Sequence, residues 1–190
     1  MTLAQLRKAK RLQGKTLVFR DAGVDDAAFI LALRTDEQKS RHLSRTSGAL
    51  SDQVAWLEAY AQRDTEAYFV IDSLAGERLG TVRLYDAKPV AEGSSFCWGS
   101  WVLSAQAPTS AAIESALMVY AYALDTLGFT QAHFQVNVDN ERVCAFHERF
   151  GAQRVSQDET EIDYTLSNTA IRAAMQRYAR FLPSALQVEH

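Results

Sequence analysis

Runs of β-branched and aromatic residues alternate along the chain with segments whose apolar positions fall three and four apart, and the two patterns lay out strands and helices. Strands are predicted at "TLVFR" (16–20), "EAYFVID" (66–72), "ERLGTVRLYD" (77–86), "SSFCWGSWVLS" (94–104), "QAHFQVNV", "AQRVSQ" and "TEIDYTLS". The short "SLAG" between the second and third runs makes those two an antiparallel hairpin. Helical spacing marks "DDAAFILALR" and "SDQVAWLEAYAQR", the latter with Ser51 placed to cap it, and a polar stretch, "TDEQKSRHLSRTSGAL", joins them. The longest helix is predicted over about 108–127, where Ile113, Ala116, Leu117, Tyr120, Ala121, Leu124 and Leu127 share a face before Gly128 stops it. "NERVCAFHERFG" (140–151) opens on a capping Asn140 and carries Val143, Phe146 and Phe150 on one stripe, with His147 on that same stripe. "NTAIRAAMQRYARFL", capped by Asn168, aligns Ile171, Ala174, Met175, Tyr178 and Phe181.

The order is strand, two helices, three strands, helix, strand, helix, two strands and a C-terminal helix. Strand, long helix, strand at 94–138 is long enough for a right-handed crossover between parallel strands inside a sheet otherwise built from hairpins. The expected class is α/β of the α+β type: a mixed, mostly antiparallel twisted sheet of about seven strands flanked by helices, with an extra C-terminal helix. One domain is expected over 1–190, with an N-terminal extension (1–15), a core (16–167) and the C-terminal helix (168–190), since no repeat or low-complexity linker interrupts it. That last helix is expected to pack on its own sheet, a homodimer contact through its apolar stripe being the alternative.

With 47% hydrophobic residues in 190, the chain can bury a core, and a net charge of -3 supplies no basic field for nucleic acid or an anionic membrane. The expected partner is a small molecule. Cys97 and Cys144 have no CxxC spacing and read as buried free thiols of a reducing compartment. The first fifteen residues have no signal-peptide pattern, and "ALMVYAYAL" is too short to span a bilayer, so the expected location is cytoplasmic. No metal site is expected.

Over about residues 16–167 the chain resembles the GNAT superfamily of N-acetyltransferases, most closely its ribosomal-protein and amino-sugar branches. The likeness rests on element order, on "WVLSAQAPTSAAIESAL", where a strand runs into the long helix, and on "NERVCAFHERFGA". It implies acetyl-CoA as acetyl donor. Trp101, Val102 and Leu103 would pair with the pantetheine arm through main-chain groups, and the pyrophosphate would lie on the helix start at Gln106, Ala107, Thr109, Ser110, Ala111 and Ala112, with Asn140 also on the cofactor. The family usually writes that turn with spaced glycines. Here there is none, and Pro108 offers no N–H.

Four residues before Gly151, where many GNAT enzymes place a tyrosine that protonates the departing thiolate, stands His147. Read from the residues alone, His147 is a core histidine held by a backbone carbonyl, the commoner fate of a lone His on an apolar face. No carboxylate lies in "SSFCWGSWVLS"; Asp86 at its strand end is the candidate base, Ser100 a water-holder, and a turn residue the plainer reading of Asp86. In the loop that overhangs the acceptor cleft in this fold, Lys39, Arg41, His42 and Arg45 form a basic cluster. Of these, Arg41, His42 and Arg45, together with Trp98, are the expected acceptor-binding residues. The expected reaction is direct transfer of acetyl to the primary amine of a small acceptor, best a nucleotide-linked amino sugar. Protein N-terminal acetylation and a non-catalytic acyl-CoA-binding module are the alternatives.

Overall fold

The computed structural model describes residues 3–39, 41–43 and 45–190. Met1 and Thr2 of the expected N-terminal extension, and Ser40 and Ser44 of the polar connection, lie outside the described residues. Its strands are β1 (Arg11–Gln13), β2 (Leu17–Asp21), β3 (Ala67–Ser73), β4 (Arg78–Val90), β5 (Gly93–Leu103), β6 (Gln131–Asn137), β7 (Gln153–Gln157), β8 (Glu161–Ser167) and β9 (Gln187–Glu189). The helices are α1 (Ala27–Thr35), α2 (Leu50–Ala61), α3 (Ala111–Ala121), α4 (Glu141–Arg149) and α5 (Asn168–Arg177). All nine strands join one sheet in the order β7-β8-β6-β5-β4-β3-β2-β1-β9. Only β5 and β6 pair in parallel, the arrangement that the intervening α3 crossover requires.

Alternation along the strands divides the apolar residues between two layers. In β3, Ala67, Phe69 and Ile71 enter the larger core, which α3, α4 and α5 cover, while Tyr68 and Val70 enter a smaller one with Ile30 of α1 and Leu57 and Tyr60 of α2. The sheet thus separates α3 and α4 from α1 and α2. No helix among the described residues is long and apolar enough to cross a membrane.

The sheet has nine strands where about seven are expected, because β1 and β9 are three-residue strands with too few residues to show a pattern. The N-terminal segment is built into the core: Leu6, Ala9 and Leu12 are buried, and the Tyr122 hydroxyl donates to the Arg7 carbonyl at 2.7 Å. A buried carboxylate ties the β1–β2 turn to α3. Glu114, 1% exposed, accepts the N–H groups of Lys15, Thr16 and Leu17 at Oε1 (2.7, 2.6 and 3.0 Å) and the Thr16 hydroxyl at Oε2. Gly14 permits the approach, since a Cβ there would lie 2.6 Å from Met118 Sδ and 2.8 Å from Glu114 Oε1.

Three helix starts differ in detail from the expected ones. α2 begins at Leu50 with Ala49 in the cap position, so Ser51 lies inside the first turn. The α5 cap is the Ser167 side chain, which accepts from Ala170 N at 3.2 Å, one residue before Asn168. α3 begins at Ala111 and ends in a π turn over Tyr122–Thr126. Asn140 does cap α4, accepting from Val143 N at 3.4 Å. α5 packs on its own chain, burying Ile171 and Ala174, with Tyr178 stacked on Phe150 at 5.2 Å.

Candidate active site

The site begins where two parallel strands part. β5 and β6 pair only through Ser95, Phe96 and Cys97, so beyond Cys97 the β6-facing edge of β5 has no ladder partner. On its other side β5 stays paired with β4, but two residues of β4 (Thr81 to Arg83) span three of β5 (Val102 to Gly99). The extra residue is absorbed at Ser100, whose φ of 45° lies in the left-handed region. Val102 turns its carbonyl toward Gly80 of β4, close enough that a Cβ on Gly80 would collide with it. By alternation, Trp101 and Leu103 direct their main-chain groups to the splay, where the Leu103 carbonyl accepts the Lys39 ammonium at 2.9 Å.

The bulge also decides where the tryptophans go. A regular strand would send Trp98 and Trp101 to opposite faces; with the extra residue at Ser100 their rings instead meet 5.2 Å apart on one face. There they enclose His147 with Phe134 (4.1 Å between ring centroids) and Phe146 (5.6 Å). His147 is buried and its Nδ1 has no hydrogen-bond partner. Burial in this aromatic cage pushes its pKa down to about 3, so the imidazole is neutral at pH 7. Trp98 Nε1 and the Tyr120 hydroxyl are likewise buried without partners in the same cluster.

At the far end of β5 the chain turns into α3. Ser110, the residue before the helix, makes no side-chain cap, so the first-turn N–H groups of Ala111, Ala112 and Ile113 are left for other acceptors, except that Ala111 N bonds back to Pro108 O at 2.9 Å. Ala107, Ala111 and Ala112 bring no bulk there, and Gln106 and Thr109 are exposed. Trp101 and Leu103 at the open strand edge, the small-residue turn and the uncapped helix start thus follow one another along the chain, whereas Val102 faces β4 and Asn140 spends its side chain on the α4 cap. The edge, turn and helix start fit a pantetheine arm followed by a pyrophosphate.

On the opposite face of the sheet is a cavity of about 350 Å³ between α1, the segment leading into α2, and the bulge. Arg34, Arg45 and Arg83 line it, as do Gln53, Trp56 and Tyr68, with Thr46, Ser47 and Ser100 as hydroxyls. Asp52 is its one carboxylate among the described lining residues. Arg83 is committed to the buried Glu66, which also holds Arg63 at 2.7 Å. Arg34 donates to the Thr46 hydroxyl at 2.6 Å and reaches Ser100 Oγ at 3.5 Å. Ser100 thus stands where the cavity meets the splayed strand.

Of the expected acceptor-binding residues, Arg45 lines this cavity and Arg41 and His42 do not. Trp98 does not either; alternation from Phe96 puts it on the other face, buried against Tyr120 and His147. Asp86 is not brought to Ser100. It sits on a second bulge, with φ 49°, past the Tyr85–Cys97 pair, where its 60% exposed side chain accepts from His133 Nε2 at 2.9 Å. His133 Nδ1 in turn meets the buried Ser95 hydroxyl at 2.7 Å, a strand-pinning chain. Gln53, Trp56, Asp52 and Arg34 escaped the sequence reading because in a single chain they look like ordinary helix residues.

A family model described as an acetyltransferase (GNAT) domain matches residues 16–153. Among solved structures, apo FdhC, described as a nucleotide-linked sugar GNAT, superposes with a TM-score of 0.80 at 35% identity, over 96% of this chain and 100% of that one. A GCN5-related N-acetyltransferase from Brucella melitensis gives 0.78 at 17% identity over 97% and 90% of the two chains, and shares the fold. Spermidine N-acetyltransferase from Vibrio cholerae, in complex with CoA and spermine, gives 0.69 at 14% identity over 83% and 98%, again a likeness of fold. No curated protein matches significantly.

Proposed function

Because the chain belongs to the GNAT acetyltransferase family and is an acetyl-CoA-dependent N-acetyltransferase, we propose that its acceptor is a nucleotide-linked amino sugar, acetylated by direct transfer. The observation that carries this is the cationic cavity beside Ser100, lined by Arg34, Arg45 and Arg83 with Asp52 the one carboxylate among the described lining residues. Guanidinium groups pair well with a diphosphate and repel a polyamine. FdhC, a nucleotide-linked sugar GNAT at 35% identity, supports the same acceptor class.

When bound, acetyl-CoA supplies the activated acyl group as a thioester. The first-turn amides of α3 and its dipole hold the pyrophosphate, and Trp101 and Leu103 offer main-chain groups to the arm. His147 acts as a neutral hydrogen-bond donor toward the leaving sulfur: with a pKa of about 3, only about one imidazole in ten thousand is cationic at pH 7. A thiol leaving group, with an ordinary pKa near ~8.5, needs little more. Direct transfer is supported by the thiols, since burial pushes Cys97 up to about 11 and away from nucleophilic use. Asp52, placed in the cavity, is the carboxylate suited to receive the acceptor's ammonium.

The test follows free-thiol release from acetyl-CoA against nucleotide-linked amino sugars, polyamines and short peptides. The sugars are expected to be the best acceptors; faster turnover of spermidine or of a peptide would overturn the assignment. Arg45→Ala is expected to raise KM for the sugar several-fold and leave acetyl-CoA affinity alone, a charge-assisted hydrogen bond being worth ~1.5–3 kcal/mol before solvent screening at this exposed position.

Ser110→Asp gives a sharper readout of the phosphate site. A carboxylate at the uncapped start of α3 would bond its free amides and raise helix stability, while opposing the pyrophosphate by charge and by occupancy. The expected result is an unchanged or higher Tm together with at least ~10-fold weaker acetyl-CoA binding, which is ~1.4 kcal/mol. Unchanged affinity would move the cofactor elsewhere.

A further inference from the structure

Two buried polar side chains face the cavity with hydrogen-bonding capacity unspent. Tyr68 is 2% exposed, and its hydroxyl has no hydrogen-bond partner. Its polar neighbours are Thr81, whose hydroxyl donates to the Ser100 carbonyl at 2.9 Å, and Arg34, whose Nε donates to Thr46. Gln53 is 6% exposed, and its amide makes no hydrogen bond among the described residues. Buried side-chain polar atoms are satisfied in the large majority of cases, so the Tyr68 hydroxyl, an exception on the cavity wall that Gln53 shares, marks a place where a ligand supplies the partner. Apolar residues there would cost less if the cavity only had to be filled.

The chemistry of the wall narrows that ligand. An amide offers two donors and an acceptor and a phenol one of each, a mixed set that matches a hydroxyl, itself donor and acceptor. Trp56 stands between them, held edge-on to Tyr68 at 5.5 Å and parallel to Tyr60 at 5.8 Å. Arg63 and Arg83 lie over the Trp56 ring at 5.4 and 5.3 Å, so Trp56 contributes a rigid edge to the wall beside the neutral donor–acceptor groups, while Arg45 lines the same cavity.

We propose that Gln53 and Tyr68 are specificity-determining residues that read ring hydroxyls of the acceptor sugar. The inference rests on the amino-sugar reading above and assigns which part of the acceptor this wall contacts.

The experiment is a cycle of enzyme variants against substrate analogues. kcat/KM is measured for wild type, Gln53→Leu and Tyr68→Phe with a nucleotide-linked amino sugar and with analogues lacking single ring hydroxyls. For the wild type, loss of the hydroxyl that is read should lower kcat/KM at least ~10-fold, since a site built to hydrogen-bond a hydroxyl rejects the analogue without one. Each variant should lose a similar factor on the full sugar and then discriminate little between sugar and analogue. Tyr68→Phe should keep or raise Tm, because it removes a hydroxyl with no partner in the free protein; a fall in Tm would mean the hydroxyl is structural and would overturn its role. Variants that match the wild type, or that lose equally on every analogue, would overturn the inference while the acceptor stands. A wild type that acetylates no nucleotide-linked amino sugar would instead bring down the acceptor reading, and this inference with it.

Discussion

Glu114→Ala is expected to lower the stability of the fold by about 3 kcal/mol. One side chain satisfies three backbone N–H groups and a hydroxyl, and removing it strands them. A buried donor left without a partner costs ~1–3 kcal/mol, and the sum stays near the lower end because Lys15 and Thr16 are exposed enough for water to reach their amides. At ~2–4 °C per kcal/mol for a chain of this size, Tm should fall by about 6–12 °C. Glu114→Gln, which keeps a carbonyl oxygen, should lose less than half of that. Because Glu114 is in the first turn of α3, the alanine variant should also bind acetyl-CoA more weakly. A Tm shift under about 2 °C in thermal unfolding would show that the turn is held by its own strand pairing.

The second large effect is a dependence on pH. An unfolded histidine titrates near ~6.5, whereas His147 in the folded protein titrates at about 3 because burial disfavours its cation. Between those values the unfolded chain carries a proton that the folded one lacks, so acidification favours unfolding. This contribution is flat above pH ~6.5 and takes away ~1.4 kcal/mol per pH unit below it, or ~2 kcal/mol between pH 6.5 and 5. His147→Phe places a ring in an aromatic cage and removes the titration, so stability by urea unfolding should become less steep in pH by that amount. Identical slopes in the two proteins would contradict a neutral, buried imidazole. Activity supplies a second check. The variant should lose at least ~10-fold in kcat, while the wild-type pH–rate profile should show no ionisation near 6.5 that belongs to His147.

Much of the fold is legible in the sequence because its long elements carry strong periodicity. Ile162, Tyr164 and Leu166 alternate inward in β8, and the α4 stripe buries Phe146, His147 and Phe150 as its spacing requires. The three-residue strands are not legible, since nothing in "RLQ" or "QVE" separates pairing from loop without the partner strand in view. Nor is the bulge at Ser100, and it carries the largest error. One extra residue reverses the side-chain alternation after Gly99, so Trp101 turns to the face that Trp98 shares with Phe96 and lies beside His147. The acceptor cavity is assembled from α1, α2, β3, β4 and β5, and only Arg45 and Ser100 among its residues carry a local signal. Gln53 and Tyr68 become noticeable once burial is known, because an unpartnered hydroxyl is unusual only inside a protein.

The three tryptophans of the chain are divided between the two faces of the sheet. Trp56 borders the acceptor cavity, and Trp98 and Trp101 lie side by side at the splayed strand, 5.2 Å apart. Each half of the site therefore contains its own emitting group, and the close pair should also produce an exciton-split signal in far-ultraviolet circular dichroism. A Trp56→Phe protein would report acetyl-CoA through the pair alone, and changes lost in that variant would belong to the acceptor. The order in which the two substrates bind becomes readable from intrinsic emission, without a label and before any turnover.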